Sequence, residues 1–279
     1  MIIFVAAIAC AAVLWQAHLI GAQADRTLAI PSAPVIHPVP VAPPVAVKPV
    51  VKVPVAPPPI KNIPLLPMKT NVNANTNKPP AKVAPVTFPA AVDLPVPFTS
   101  QAPYQKWDKI HEETCEEADM FMVDKYFKGE AIAGASEADA ALLKIIAWEK
   151  INLGHYEDTS AAEIMRTLNE FYGLNNVSLL ADPTVADLKG ALAQGFLVLL
   201  PADGKELLNP NFKNGGPPYH VLLLRGYTAD GHWITNDPGT HLGNGFLYPQ
   251  DNLMTAMHDF IQGDTAHGRK VVIVIKPNK

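Results

Sequence analysis

Residues 95–128, PVPFTSQAPYQKWDKIHEETCEEADMFMVDKYFK, decide how this chain is read. Thr114-Cys115-Glu116-Glu117 matches a capping box, with Thr114 at the N-cap and Glu117 three residues on. Ala118, Phe121, Met122 and Tyr126 then recur at roughly helical spacing. The stretch therefore predicts a helix with one apolar face, opening at Cys115. A thiol in the first turn of such a helix meets unpaired N–H groups and the positive end of the helix dipole, which favour a thiolate. A nucleophilic cysteine needs that setting, given a base within reach. A buried, inert cysteine is the other reading of the same residue.

Upstream the composition changes twice. Of the 28 prolines in 279 residues, nineteen lie between Pro31 and Pro97. Residues 1–24 are almost wholly apolar up to Ile20, interrupted only by Gln16 and His18. They read as a signal peptide, cleaved after the small-residue pattern Ala22-Gln23-Ala24, or as a membrane anchor retained through residues 2–21. Either way the remainder is expected to be exported. Cys10 reads as one more apolar position in that run. Residues 25–91 read as a disordered linker rich in Pro, Val and Ala, with seven Lys/Arg against one Asp. It is a solvated spacer, or a stalk whose lysines touch an anionic envelope.

Residues 92–279 are the expected folded domain and carry 15 Lys/Arg against 25 Asp/Glu. That acidic balance excludes nucleic acid as the expected partner, because phosphate binding needs a basic face. No glycine-rich phosphate loop, CxxC pair or HExxH helix is present, so neither cofactor nor metal is expected. With the leader removed, Cys115 is the only cysteine and forms no internal disulfide.

Capped helical patterns follow Cys115. Ser136–Asp139 opens one through Leu142 and Trp148, Ser160–Glu163 a second to Gly173, and Thr184–Asp187 a third to Gly195. Then the period changes. Phe196–Leu200, Tyr219–Tyr227, His232–Asn236, residues 246–248 and Val271–Lys276 read as strands, with a short helix at Asp251–Phe260. Helices first and strands after make the expected fold class α+β, with N-terminal helices packed on an antiparallel sheet.

A cysteine nucleophile needs a histidine to take its proton and a third group to hold the imidazole. His220 opens one strand, straight after a Gly-Gly-Pro-Pro loop. Asp237 ends the next, 17 residues later. Joined by the Ala229-Asp230-Gly231 turn, the two strands are expected to be antiparallel, with His220 and Asp237 at the same edge. Structural roles remain open for both: a core histidine bonded to backbone, and a turn aspartate in Asp-Pro-Gly. Asn236 is a substitute for the third role. His241 is placed to line a cleft, and His111, His155, His232, His258 and His267 read as structural or solvated.

The order Gln…Cys…His…Asp resembles the C39-like family of papain-fold cysteine peptidases. The resemblance rests on Val96-Pro97-Phe98, Gln101-Ala102-Pro103, Trp107, Cys115-Glu116-Glu117-Ala118, Tyr219-His220, Arg225-Gly226-Tyr227, Asn236-Asp237-Pro238-Gly239-Thr240 and Met257-His258-Asp259, and covers about residues 93–276. It implies a papain-like fold with Cys115 as nucleophile, His220 as general base and acid, and Asp237 as its orienter. Gln101 and the N–H of Cys115 would bind the oxyanion. Many relatives follow the cysteine with Gly-Pro, where this chain has Glu116-Glu117. Two carboxylates beside a thiol tend to raise its pKa. Gln101 also precedes Cys115 by 14 residues, a longer gap than papain-like enzymes usually show.

The expected activity is that of an exported cysteine peptidase or amidase, a monomer cleaving a peptide or cell-envelope amide. Two other readings stand beside it: a catalytically inactive papain-like binding module of the envelope, and a structural envelope protein whose working part is the stalk.

Overall fold

The computed structural model describes residues 87–262 and 264–278. The expected leader, and the linker up to residue 86, lie outside the described residues. The first element among the described residues is a two-residue strand, β1 (Val92–Asp93), and a long loop then leads into helix α1 (Cys115–Lys128).

Helix α1 starts at the cysteine, as its apolar spacing requires, and ends on Gly129 in the left-handed conformation (φ 67°). The expected capping box at its start does not form. The Thr114 hydroxyl instead donates to the Gln101 carbonyl at 3.1 Å, and Glu117 turns into the core. Helix α2 (Ala135–Asn152) starts one residue before Ser136, with Gly134 as N-cap. The boxes of α3 (Ala161–Glu170) and α4 (Val185–Ala193) do form: Glu163 accepts from the Ser160 N–H at 2.9 Å, and Asp187 from the Thr184 hydroxyl at 2.6 Å.

The remaining elements are β2 (Val177–Ala181), β3 (Leu197–Ala202), β4 (His220–Tyr227), β5 (His232–Asn236), β6 (Asn244–Pro249), α5 (Gln250–Ala256) and β7 (Val271–Ile275). The sheet is antiparallel throughout, in the order β2-β7-β3-β4-β5-β6, with β1 added beside the far end of β4. Strand β2 was not expected from the sequence. Strand β3 continues past Pro201 to Ala202, and the Pro201 carbonyl accepts from the His258 N–H at 3.0 Å. Helix α5 stops at Ala256, four residues short of the expected Phe260.

The central strands read as unbroken apolar runs because both faces of the sheet are covered. Leu197, Leu199, Val221, Leu223 and Ile273 point to one face, where Phe121, Leu142, Ile145, Ile164 and Leu168 of α1, α2 and α3 pack. Val198, Leu200, Leu222, Leu224 and Val272 point to the other, against Leu188 and Leu192 of α4 and Leu253 and Ala256 of α5. The fold is α+β, with helices on both faces of an antiparallel sheet. Where β1 joins, a Cβ on Gly226 would run into the backbone of Val92 and Asp93, so the crowded junction requires glycine.

Candidate active site

Two elements meet at the site: the first turn of α1, carrying Cys115, and the edge where β4 begins and β5 ends. Leu223 pairs with Asn236, so the chain leaving β5 passes the start of β4 at the level of His220. His220 Nε2 lies 2.8 Å from Asp237 Oδ1, and both side chains are buried.

Asp237 is fully engaged. Its Oδ1 also accepts from the Gly239 N–H at 3.0 Å, and its Oδ2 accepts from the Tyr248 hydroxyl at 2.5 Å and Asn209 Nδ2 at 2.9 Å. Burial alone would raise this carboxyl. The His220 charge and the hydrogen bonds outweigh burial and hold it below its ordinary value. Burial and the Asp237 charge push the Tyr248 hydroxyl up, so it stays a donor. Phe212 stands edge-on to the imidazole, its centroid at 5.2 Å. A Cβ on Gly239 would lie 2.9 Å from His220 Cε1, so only glycine lets the turn pass beneath the ring.

Cys115, Glu116, His220, Phe212 and Gly239 line one cavity of about 710 Å³. The thiol is 6% exposed. Sγ donates to Glu116 Oε2 at 2.9 Å, while Glu116 Oε1 accepts from the Thr159 N–H at 2.9 Å. Burial pushes the thiol up, and the Glu116 charge and hydrogen bond push it further; the Val221 N–H acts the other way. Glu116 itself is raised to about 8, chiefly by burial. The resting site therefore holds a protonated thiol, whatever the helix dipole contributes. Glu116→Gln removes a carboxyl whose ionised form opposes the thiolate, and is expected to bring the thiol inflection down by about one pH unit and to speed alkylation above about pH 8, where Glu116 would otherwise be charged. Rates of iodoacetamide labelling against pH check this, and an unchanged inflection would mean that burial alone controls the thiol.

Gln101 is not placed as an oxyanion donor. Its Nε2 donates to the carbonyls of His111 at 2.9 Å and Glu112 at 3.1 Å, so the amide holds the loop before α1. Asn236 does not reach the imidazole. It ties the Val96–Pro97 backbone to Arg225, with its Nδ2 3.2 Å from the Pro97 carbonyl and its Oδ1 accepting from Arg225 Nη1 at 3.1 Å. His241 lines the cavity as expected. His111 is clamped between Asp108 and Asp139 at 2.8 and 2.9 Å. His155 pairs with Glu163, His232 with Asp230 and His267 with Asp264, while His258 bonds the Ala256 carbonyl.

Sequence reasoning missed Tyr248 and Asn209, which complete the hydrogen bonding of Asp237 from 11 and 28 residues away. Nothing local to either residue signals that role. It also missed the Cys115–Glu116 contact, although the adjacency of the two residues was visible.

No protein-family model matches the chain, and no curated protein matches it. Among solved structures, the chain is similar to a protein from Bacillus anthracis provisionally described as a C39-like peptidase, with a TM-score of 0.45 and 16% identity over 68% of this chain and 99% of that one. It is similar to a fragment of Prevotella intermedia prointerpain A, with a TM-score of 0.45 and 14% identity over 69% of this chain and 74% of that one. It is also similar to the active Prevotella intermedia interpain A cysteine protease, with a TM-score of 0.40 and 12% identity over 67% and 95%. Overlaps this partial leave the reading of the site to its own geometry.

Proposed function

We propose that the chain is an exported cysteine peptidase or amidase that cleaves a peptide or cell-envelope amide by thiol-mediated acyl transfer. The observation that carries this reading is the 2.8 Å contact between buried His220 and Asp237 in the cavity that also holds Cys115. Asp237 occupies Nε2 of the imidazole and leaves Nδ1 for the thiol. The Sγ proton passes to Nδ1, and the thiolate adds to the amide carbonyl. Anionic Asp237 stabilises the imidazolium that forms. The N–H of Cys115, unpaired within the helix because it is the first helical residue, would donate to the oxyanion. The imidazolium returns its proton to the leaving amine, and a thioester remains on Cys115. Water, deprotonated by His220, hydrolyses the thioester and restores the thiol. The chemistry balances without a cofactor or metal.

The test is Cys115 alkylation against pH in wild type and in Glu116→Gln, each with and without His220→Ala. Loss of His220 is expected to slow labelling near neutral pH by about tenfold or more in both backgrounds. Equal rates with and without His220 would mean an unactivated thiol. That outcome would favour the second reading, an inactive papain-like cleft that binds an envelope ligand. The observation behind this alternative is the 2.9 Å bond that commits the thiol proton to Glu116.

A further inference from the structure

The cavity beside Cys115 has an acidic wall. Glu112, Glu113 and Asp158 line it, and Lys213 and His241 line the cavity too. Among the described residues, none of these three carboxylates has a cationic side chain within 4.0 Å, whereas Asp108 pairs with Lys106 and His111, and Glu163 with His155. Burial raises Glu113, and the charges of Asp158, Glu157 and Glu112 raise it further, so the wall is a set of like charges facing one another. Asp158 sits at φ 48°, a left-handed conformation that aspartate and asparagine tolerate better than most residues.

A second observation comes from Gln101, which lines the same cavity and is 4% exposed. Its Nε2 is held by the carbonyls of His111 and Glu112, which fixes the amide beside Glu112 and Glu113. Its Oε1 is buried and has no donor. A buried acceptor left unpaired is costly, and an incoming N–H relieves that cost. Trp107 lines the cavity as well, and an indole is an aromatic partner suited to a cation. Asp158 and Tyr219 also line a second cavity of about 750 Å³, whose further acids are Glu157, Glu163 and Asp264. The acidic character thus continues along a path longer than the site itself.

We infer that the Glu112–Glu113–Asp158 wall, with Gln101 Oε1, is a subsite for a cationic group, so that the substrate class is a peptide amide bearing a primary ammonium or guanidinium close to the bond that is cleaved. This deepens the peptidase reading and rests on it for the word substrate. The subsite itself is a matter of binding.

The experiment therefore measures binding, with the full chain as Cys115→Ala so that no turnover intervenes. Three short peptides differ at one position only, carrying lysine, norleucine or glutamate, and are titrated by calorimetry at low salt. The lysine peptide is expected to bind on the order of tenfold more tightly than the norleucine peptide, and the glutamate peptide most weakly. Adding about 0.5 M salt should shrink the difference, because exposed charges are screened within a few ångströms. Glu113→Gln with Asp158→Asn should abolish the lysine preference and leave norleucine binding unchanged. Asparagine tolerates the left-handed backbone at position 158, and a matching thermal melt shows that the variant is folded. Equal binding of lysine and norleucine, a preference that survives the double substitution, or no binding by any peptide would each overturn the subsite. Those outcomes leave the His220-dependent alkylation untouched, so a failed subsite and a failed peptidase reading are told apart.

Discussion

The folded domain is expected to lose stability as pH rises from about 5 to about 8, the reverse of the usual behaviour of an acidic protein. Four carboxyls of one core cause this: Glu116, Glu117, Asp119 and Glu149 are all fully or almost fully buried. None has a cationic partner among the described residues. Burial raises each of them, to about 8 for Glu116 and about 7 for Glu149, with Glu117 and Asp119 also well above their ordinary values. The sign follows from linkage. Above about 4.5 the unfolded chain has released protons that the folded chain keeps, so rising pH favours unfolding until the folded groups also ionise. Each such group removes about 1.4 kcal/mol per pH unit across its window. Asp237 works oppositely: its lowered carboxyl contributes stability above about 3.9 that is lost only as pH falls through the folded value. Stability should therefore peak near pH 5, and urea midpoints across this range measure the slope. Glu149→Gln should flatten it, because the Glu117–Glu149 pair then holds one titrating proton fewer. A midpoint that rose with pH would show these carboxyls to be ionised and solvated in the folded state.

Cys115→Ala should abolish turnover of any amide substrate and change unfolding free energy by less than about 2 kcal/mol. The argument rests on size and partner. The substitution removes one sulfur from the edge of the core, where Sγ donates to Glu116 Oε2 and meets the Val221 N–H. Glu116 keeps its bonds to Thr159, and loss of the thiol hydrogen bond raises its carboxyl further, so it remains neutral rather than becoming a buried charge. Turnover assays and chemical unfolding of the same variant separate the two effects. A variant that failed to fold would place Cys115 among the structural core residues and remove the basis of the enzyme reading.

That His220 and Asp237 share one sheet edge was legible in the sequence, because strand length and turn chemistry return the end of β5 to the start of β4. The apolar runs of β3, β4 and β7 were equally plain, as were the Ser160 and Thr184 caps, whose partners lie three residues away. The capping box at Thr114 failed for a non-local reason: the carbonyl of Gln101, 13 residues earlier, takes the hydroxyl. The acidic residues of α1 were illegible for a related reason. Charged residues at helical spacing normally mark a solvated face, yet Glu116, Glu117 and Asp119 all turn into the core. Strand β2 was missed because its five residues become a strand only through pairing with β7, some 94 residues downstream. The amide of Gln101 was assigned by family pattern to the oxyanion, while the local fold commits it to a loop.

The position of β7 bears on when the site can first exist. This strand lies between β2 and β3 and is bonded to both, and β2 has no other neighbour in the sheet. Until residues 271–275 arrive, β2 and the Leu197–Leu199 part of β3 lack the strand that pairs with them. Chains still being synthesised, or cut before Val271, would therefore carry Cys115, His220 and Asp237 without the frame that holds them. Assembly of the site that groups Cys115, His220 and Asp237 is thereby tied to the arrival of residues 271–275, about 35 residues after Asp237.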